Sequence, residues 1–136
     1  MRVILAMSCG LLAGSLAGCG GDEGGSPQDR GSAVYATHCA SCHQRDGSGV
    51  SNAYPPLGGS ATVNGDADTL IAWLLFGTRP ATLPPRKGLA VMPQFPWLSD
   101  ADVAAVLTRV RSQFGNDAPL ITVEQVAAVR AAGPRP

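Results

Sequence analysis

The sequence is short of aromatic side chains: two Trp, two Tyr and three Phe make up 5% of its 136 residues. So few large rings exclude a core built on aromatic packing, although a content of 45% hydrophobic residues is globular and the length suits one domain. An excess of charge of either sign is also missing. Ten basic and ten acidic residues leave a net charge of zero, which removes the broad electrostatic footprint of a nucleic-acid binder and leaves only local patches for docking. No apolar run reaches the roughly 20 residues that a bilayer-spanning helix needs. Histidine is limited to His38 and His43, and methionine beyond the first seven residues to Met92.

What is present begins with a leader. Met1-Arg2 followed by the short apolar run Val3 to Ala13 has the form of an export signal. Leu16-Ala17-Gly18-Cys19 then resembles the lipobox of bacterial lipoproteins, in which cleavage leaves a lipidated cysteine as the new first residue. Ordinary cleavage after Ala17 is the alternative, since Ser15 and Ala17 are small, and it would give a soluble periplasmic protein. Either way the chain is expected on the periplasmic side of the cell envelope, anchored in the first case through lipid on Cys19. From Gly20 to Gly31 there is no large apolar residue, which reads as a flexible tether. The expected organisation is a signal peptide over 1–18, a tether over 19–31, a folded domain over 32–116 and a C-terminal extension over 117–136.

Within the domain, apolar spacing predicts a first helix from Gly31 or Ser32 to Ala40. A long glycine-rich stretch, Gln44 to Gly65, has no periodicity and would have to be held by a bound group rather than by its own hydrogen bonds. Asp66 or Asp68 then caps a helix over Thr69 to Phe76 with an apolar face of Leu70, Trp73 and Leu74, ended by Gly77. Five prolines between residues 78 and 96 make that segment, which carries Met92, a restrained loop. Ser99 caps the best-defined helix, with Val103, Val106, Leu107, Val110 and Phe114 on one face up to Gly115. A shorter helix over Val123 to Ala132 follows Thr122 as cap.

Chemistry is concentrated in Cys39-Ala40-Ser41-Cys42-His43, the Cys-x-x-Cys-His arrangement that binds haem covalently through two thiols and ligates its iron through the histidine. A bare Cys-x-x-Cys also occurs in thioredoxin-like redox pairs and in half zinc sites. Here no βαβ pattern precedes it, and no second Cys or His pair exists to complete four zinc ligands. With Cys9 discarded, Cys19 lipidated and Cys39 and Cys42 on haem, no pair is left for a structural disulfide. Met92, before a proline in the restrained loop, supplies the second axial ligand from the other side of the ring. His38 shares a helix turn with Cys39 and is assigned to packing or solvent. Trp73, Trp97, Arg79, Arg86 and Lys87 are equally compatible with haem propionates and with packing or solvated loop.

With a haem motif on a helix and a methionine loop downstream, residues 31 to 116 resemble class I c-type cytochromes. Gly31 and Tyr35, eight and four residues before Cys39, stand where that family brings its first and last helices into close contact. Pro55, twelve residues after His43, stands where the ligand histidine finds a backbone carbonyl for its other N–H. Tyr54-Pro55-Pro56-Leu57, Met92-Pro93-Gln94-Phe95, Leu98-Ser99-Asp100 and Arg111-Ser112-Gln113-Phe114-Gly115-Asn116 are similar to cytochrome subunits of periplasmic dehydrogenases. The resemblance implies an all-α class I cytochrome c fold of three to five short helices around one covalent haem c. It implies single-electron transfer between a donor, a dehydrogenase or quinol-oxidising complex, and a terminal acceptor such as an oxidase, with no small-molecule substrate and no catalysis by the chain itself. Two alternatives stay open: a haem subunit fixed in a larger oxidase or dehydrogenase complex, and a gas sensor or peroxidase in which Met92 is displaced and Tyr54 or Lys87 approaches the iron.

Overall fold

Short polar side chains start nearly every helix of this chain. The computed structural model describes residues 25–83 and 90–134, and among them the helices are α1 (Pro27–His38), α2 (Ala40–His43), α3 (Ala61–Asn64), α4 (Ala67–Phe76), α5 (Asp100–Ser112) and α6 (Val123–Ala132). Ser26, Ser60, Asp66, Ser99 and Thr122 cap all but α2, each side-chain oxygen accepting a backbone N–H from the first turn. Helices α2 and α3 are single turns of four residues, so four longer helices form the frame. No strand occurs among the described residues, only an isolated antiparallel bridge between Val50 and Tyr54. None of the described helices is long and apolar enough to cross a membrane. The expected leader with Cys9, the expected lipidation site Cys19 and the first part of the expected tether lie outside the described residues.

The first helix starts earlier than its apolar spacing predicts. Residues 27–31, read from composition as tether, form its opening turns, because Ser26 caps the amide of Asp29 and Pro27 suits the first helical position. Gly31 lies inside the helix for a packing reason. A Cβ there would fall 2.5 Å from the carbonyl oxygen of Ala105, so only glycine lets α1 lie this close to α5. Tyr35, one turn on, is buried and stacks at 5.3 Å on Phe114. The family's first-with-last contact is therefore made with α5, and one more helix follows it.

That helix, α6, packs against both α4 and α5. Its Val126 and Val129 are buried, as is Ile121 just before it, so residues 117–134 belong to the core and are not an appendage. Their cover explains a second departure from expectation. All of Leu70 to Leu75 is buried in α4, not one face alone, because a helix sandwiched between neighbours is apolar all round. Ile71, Leu75, Val103, Val106 and Val126 are the largest fully buried side chains, each contributing about 1.5–3 kcal/mol by leaving water.

The glycine-rich stretch is not held by a bound group alone. Leu57 N–H donates to the Gly47 carbonyl at 2.8 Å, Gly49 N–H to that of His43 at 3.0 Å, and residues 61–64 form α3 on the Ser60 cap. These bonds join residues far apart in the loop, so no local periodicity announces them. Helix α5 stops at Ser112, short of Gly115, and Phe114 takes a left-handed conformation (φ 59°) that turns its ring onto Tyr35.

Candidate functional site

Cys39 interrupts the helix that leads into the motif. Its N–H bonds back to the Tyr35 carbonyl at 2.9 Å, while its own carbonyl accepts the N–H of Cys42 at 3.2 Å and of His43 at 2.9 Å. The reset turn sets Cys39, Cys42 and His43 along one wall of a cavity of about 560 Å³. Leu70, Trp73 and Leu74 of α4 and Val106, Leu107 and Val110 of α5 give it an apolar lining. Its volume lies in the range of pockets that enclose an organic cofactor.

The Pro55 backbone reaches the His43 ring. The Pro55 carbonyl oxygen lies 3.0 Å from Nδ1 of His43, and since a carbonyl only accepts, Nδ1 carries the proton and Nε2 the lone pair. Burial depresses the His43 pKa, opposed by the bond to Pro55, so the neutral ring that a metal requires is the favoured form. Gly49 makes this contact possible. It has φ 68°, and a Cβ on it would fall 2.7 Å from the same Pro55 oxygen.

Both motif cysteines are half-buried. Before attachment to a cofactor, burial, reinforced by the neighbouring Cys42, pushes the Cys39 thiol up to about 11. Tyr54 lines the same cavity, and the neighbouring Cys42 raises its pKa.

Met92 is half-buried and lines the same cavity. Backbone bonds fix the chain on either side of it: Ala90 N–H donates to the Ala53 carbonyl at 3.1 Å, and Phe95 N–H to that of Leu74 at 2.9 Å. The first ties the methionine loop to the Pro55 loop, the second to α4. The structure thus gathers Cys39, Cys42, His43, Pro55 and Met92, three separate chain segments, around one space. Two thiols, an imidazole lone pair and a thioether around an apolar cavity are a donor set that suits covalent haem.

The remaining candidates divide. Trp73 is buried and Arg79 also lines the cavity, whereas Trp97 is 65% exposed and stacks on Phe95 at 5.5 Å outside it. His38 rests edge-on against Phe95, ring centroids 5.8 Å apart, and also lines the cavity. Arg86 and Lys87 lie outside the described residues.

Two positioning residues, Arg111 and Asn116, stand in a segment that the resemblance marked without giving either a role. Asn116, buried after α5, donates through Nδ2 to the carbonyls of Val110 (2.8 Å) and Leu57 (3.1 Å) and accepts through Oδ1 from Gly59 N–H (2.9 Å) and Asn64 Nδ2 (2.8 Å). Arg111, only 3% exposed, donates to the carbonyls of Val63 (2.9 Å), Gly65 (3.0 Å) and Pro119 (2.8 Å). Together they pin the cavity wall at 57–65 to α5. A polar residue just past a helix end is the faint signal that could have marked Asn116.

A family model described as cytochrome c matches residues 28–114. The chain is 35% identical over 115 residues to the cytochrome c subunit of the quinone-type alcohol dehydrogenase of Gluconobacter oxydans, covering 80% of this chain and 23% of that subunit. It is 36% identical over 110 residues to the fructose dehydrogenase cytochrome subunit of Gluconobacter japonicus, covering 76% and 22%. It therefore spans less than a quarter of either subunit. It is also 33% identical over 114 residues to cytochrome c-552 of Thermus thermophilus, covering 76% of this chain and 86% of that protein.

Proposed function

The chain belongs to the cytochrome c family, and on that premise we propose that it carries electrons one at a time through a haem that Cys39 and Cys42 would hold as thioethers and whose iron His43 and Met92 would ligate. It is an electron carrier, and its cofactor is covalently bound haem c with iron. The observation that carries the assignment of residues is the convergence of the motif, the Pro55 carbonyl and Met92 on one apolar cavity. Bound there, haem iron supplies a reversible one-electron couple. The protein's part is to keep that couple narrow in geometry. Pro55 holds the His43 ring in one tautomer and orientation, backbone bonds on both sides restrain Met92, and the apolar lining excludes water. The reduced protein is expected to show a low-spin c-type spectrum with a single one-electron couple; a five-coordinate, high-spin spectrum would overturn the pair of axial ligands.

A lipid on Cys19 would hold this head at the membrane on the periplasmic side, with the residues before Ser26 as tether. Cys19→Ser is expected to move the protein from the membrane to the soluble fraction. Retention in the membrane would mean that a partner protein is the anchor. Donors of the dehydrogenase or quinol-oxidising type and a terminal oxidase as acceptor fit such a carrier. A second reading, a haem subunit fixed in a dehydrogenase complex, is favoured by the similarity to two dehydrogenase cytochrome subunits. Stable co-purification with a dehydrogenase in detergent would select it over a free carrier. A gas-binding role requires Met92 to leave the iron, so rapid CO binding to the reduced native protein would select that role instead.

A further inference from the structure

Helix α6 reaches the methionine loop through one side chain. Arg130, in its last turn, donates from Nε to Asp100 Oδ1 at 2.7 Å, from Nη1 to the Pro96 carbonyl at 2.8 Å and from Nη2 to the Leu98 carbonyl at 2.6 Å. All three edges of the planar guanidinium fork are engaged, and all three acceptors lie between Met92 and the first turn of α5. We propose that Arg130 is a further positioning residue for Met92, and that α6 serves through it to fix residues 96–100, the segment that leads from Met92 into α5. This rests on Met92 being an axial ligand, as proposed above.

The loop needs an outside donor for a chemical reason. Pro93 and Pro96 have no N–H, so residues 93–98 cannot form a regular hydrogen-bonded element. Among the described residues, their own backbone bonds are Phe95 N–H on the Leu74 carbonyl and a long 3.3 Å contact from Leu98 N–H to the Phe95 carbonyl. Arg130 supplies what the prolines remove, and it does so from a rigid base. Val126 and Val129 are buried beneath it, Gln125 Nε2 donates to Asp68 Oδ1 at 3.1 Å, and Thr108 Oγ1 exchanges two bonds with the backbone of Ile121. Lysine could not replace it, since an ammonium is a compact charge that cannot span two carbonyls and a carboxylate in this planar arrangement.

Removing bonds from a charged donor to a loop raises that loop's open population by about tenfold or more. The haem-loaded, reduced Arg130→Ala protein is therefore expected to bind CO at least about tenfold faster than the native protein, with a lowered midpoint potential, at a temperature where circular dichroism shows both fully folded. Met92→Ala, measured beside it, sets the fast limit. If Met92→Ala binds CO rapidly and Arg130→Ala remains as slow as the native protein, the proposal for Arg130 is overturned and the ligand assignment stands. If Met92→Ala is itself no faster than native, the ligand assignment fails and the proposal fails with it. Should Arg130→Ala not accumulate with haem, Arg130→Lys decides: faster CO binding supports the fork, and native-like binding overturns it.

Discussion

Met92→Ala is expected to retain its haem, lose potential and gain a coordination position open to CO. Attachment depends on Cys39 and Cys42, which belong to a separate chain segment and take no part in the bonds of Ala90 to Ala53 and Phe95 to Leu74. Removing the thioether withdraws the ligand that favours the reduced iron, so the midpoint potential should fall by on the order of a hundred millivolts, a fraction of the ~0.8 V over which axial ligands set haem potentials. Folding should survive. Met92 is half-buried, and Ala90 and Phe95 anchor the loop by backbone bonds that an alanine leaves in place. Electrochemistry and CO difference spectra on the same sample check both consequences, and an unchanged potential with inert reduced haem would remove Met92 from the iron.

Asn116→Ala is expected to act on stability rather than on ligation. The amide of Asn116 makes four hydrogen bonds, three to backbone groups of the 57–59 segment and the end of α5, and is itself only 7% exposed. Truncation strands the Gly59 N–H and the Val110 carbonyl and leaves the Leu57 carbonyl only a long 3.4 Å bond from Ser60 N–H, at about 1–3 kcal/mol for each group that water cannot reach. A total loss of about 3–5 kcal/mol is a large share of the roughly 5–15 kcal/mol that holds a domain together. The melting midpoint should drop by roughly 15 °C, while the spectrum of the surviving folded fraction stays low-spin because His43 and Met92 are held elsewhere. A melting curve within a few degrees of native would show that water re-solvates the site.

Much of this molecule was legible in the chain because its signals are local. Capping residues sit next to the helices they start, so Ser99 and Thr122 mark α5 and α6 directly, and the haem motif fits within five residues. The errors have one origin. Composition read residues 27–31 as tether because they lack apolar side chains, yet Gly31 is there to admit the Ala105 carbonyl of a helix more than seventy residues away. Gln44 to Gly65 showed no periodicity because its bonds run to Asn116, Arg111 and its own distant turns. Residues 117–134 read as an extension because nothing in their own pattern says that α4 needs a second cover.

The sequence by itself determined the cofactor chemistry: the motif, the scarcity of histidine and the one downstream methionine are all properties of residue identity and spacing along the chain. Tertiary structure alone decided how that chemistry is held. The carbonyl on His43 is a backbone atom brought round by Gly49, the methionine loop is fixed by Leu74 and Arg130, and the cavity wall is pinned by Asn116. Backbone carbonyls are the same at every residue, so a sequence cannot say which of them a donor will meet; only the packing of distant helices selects them.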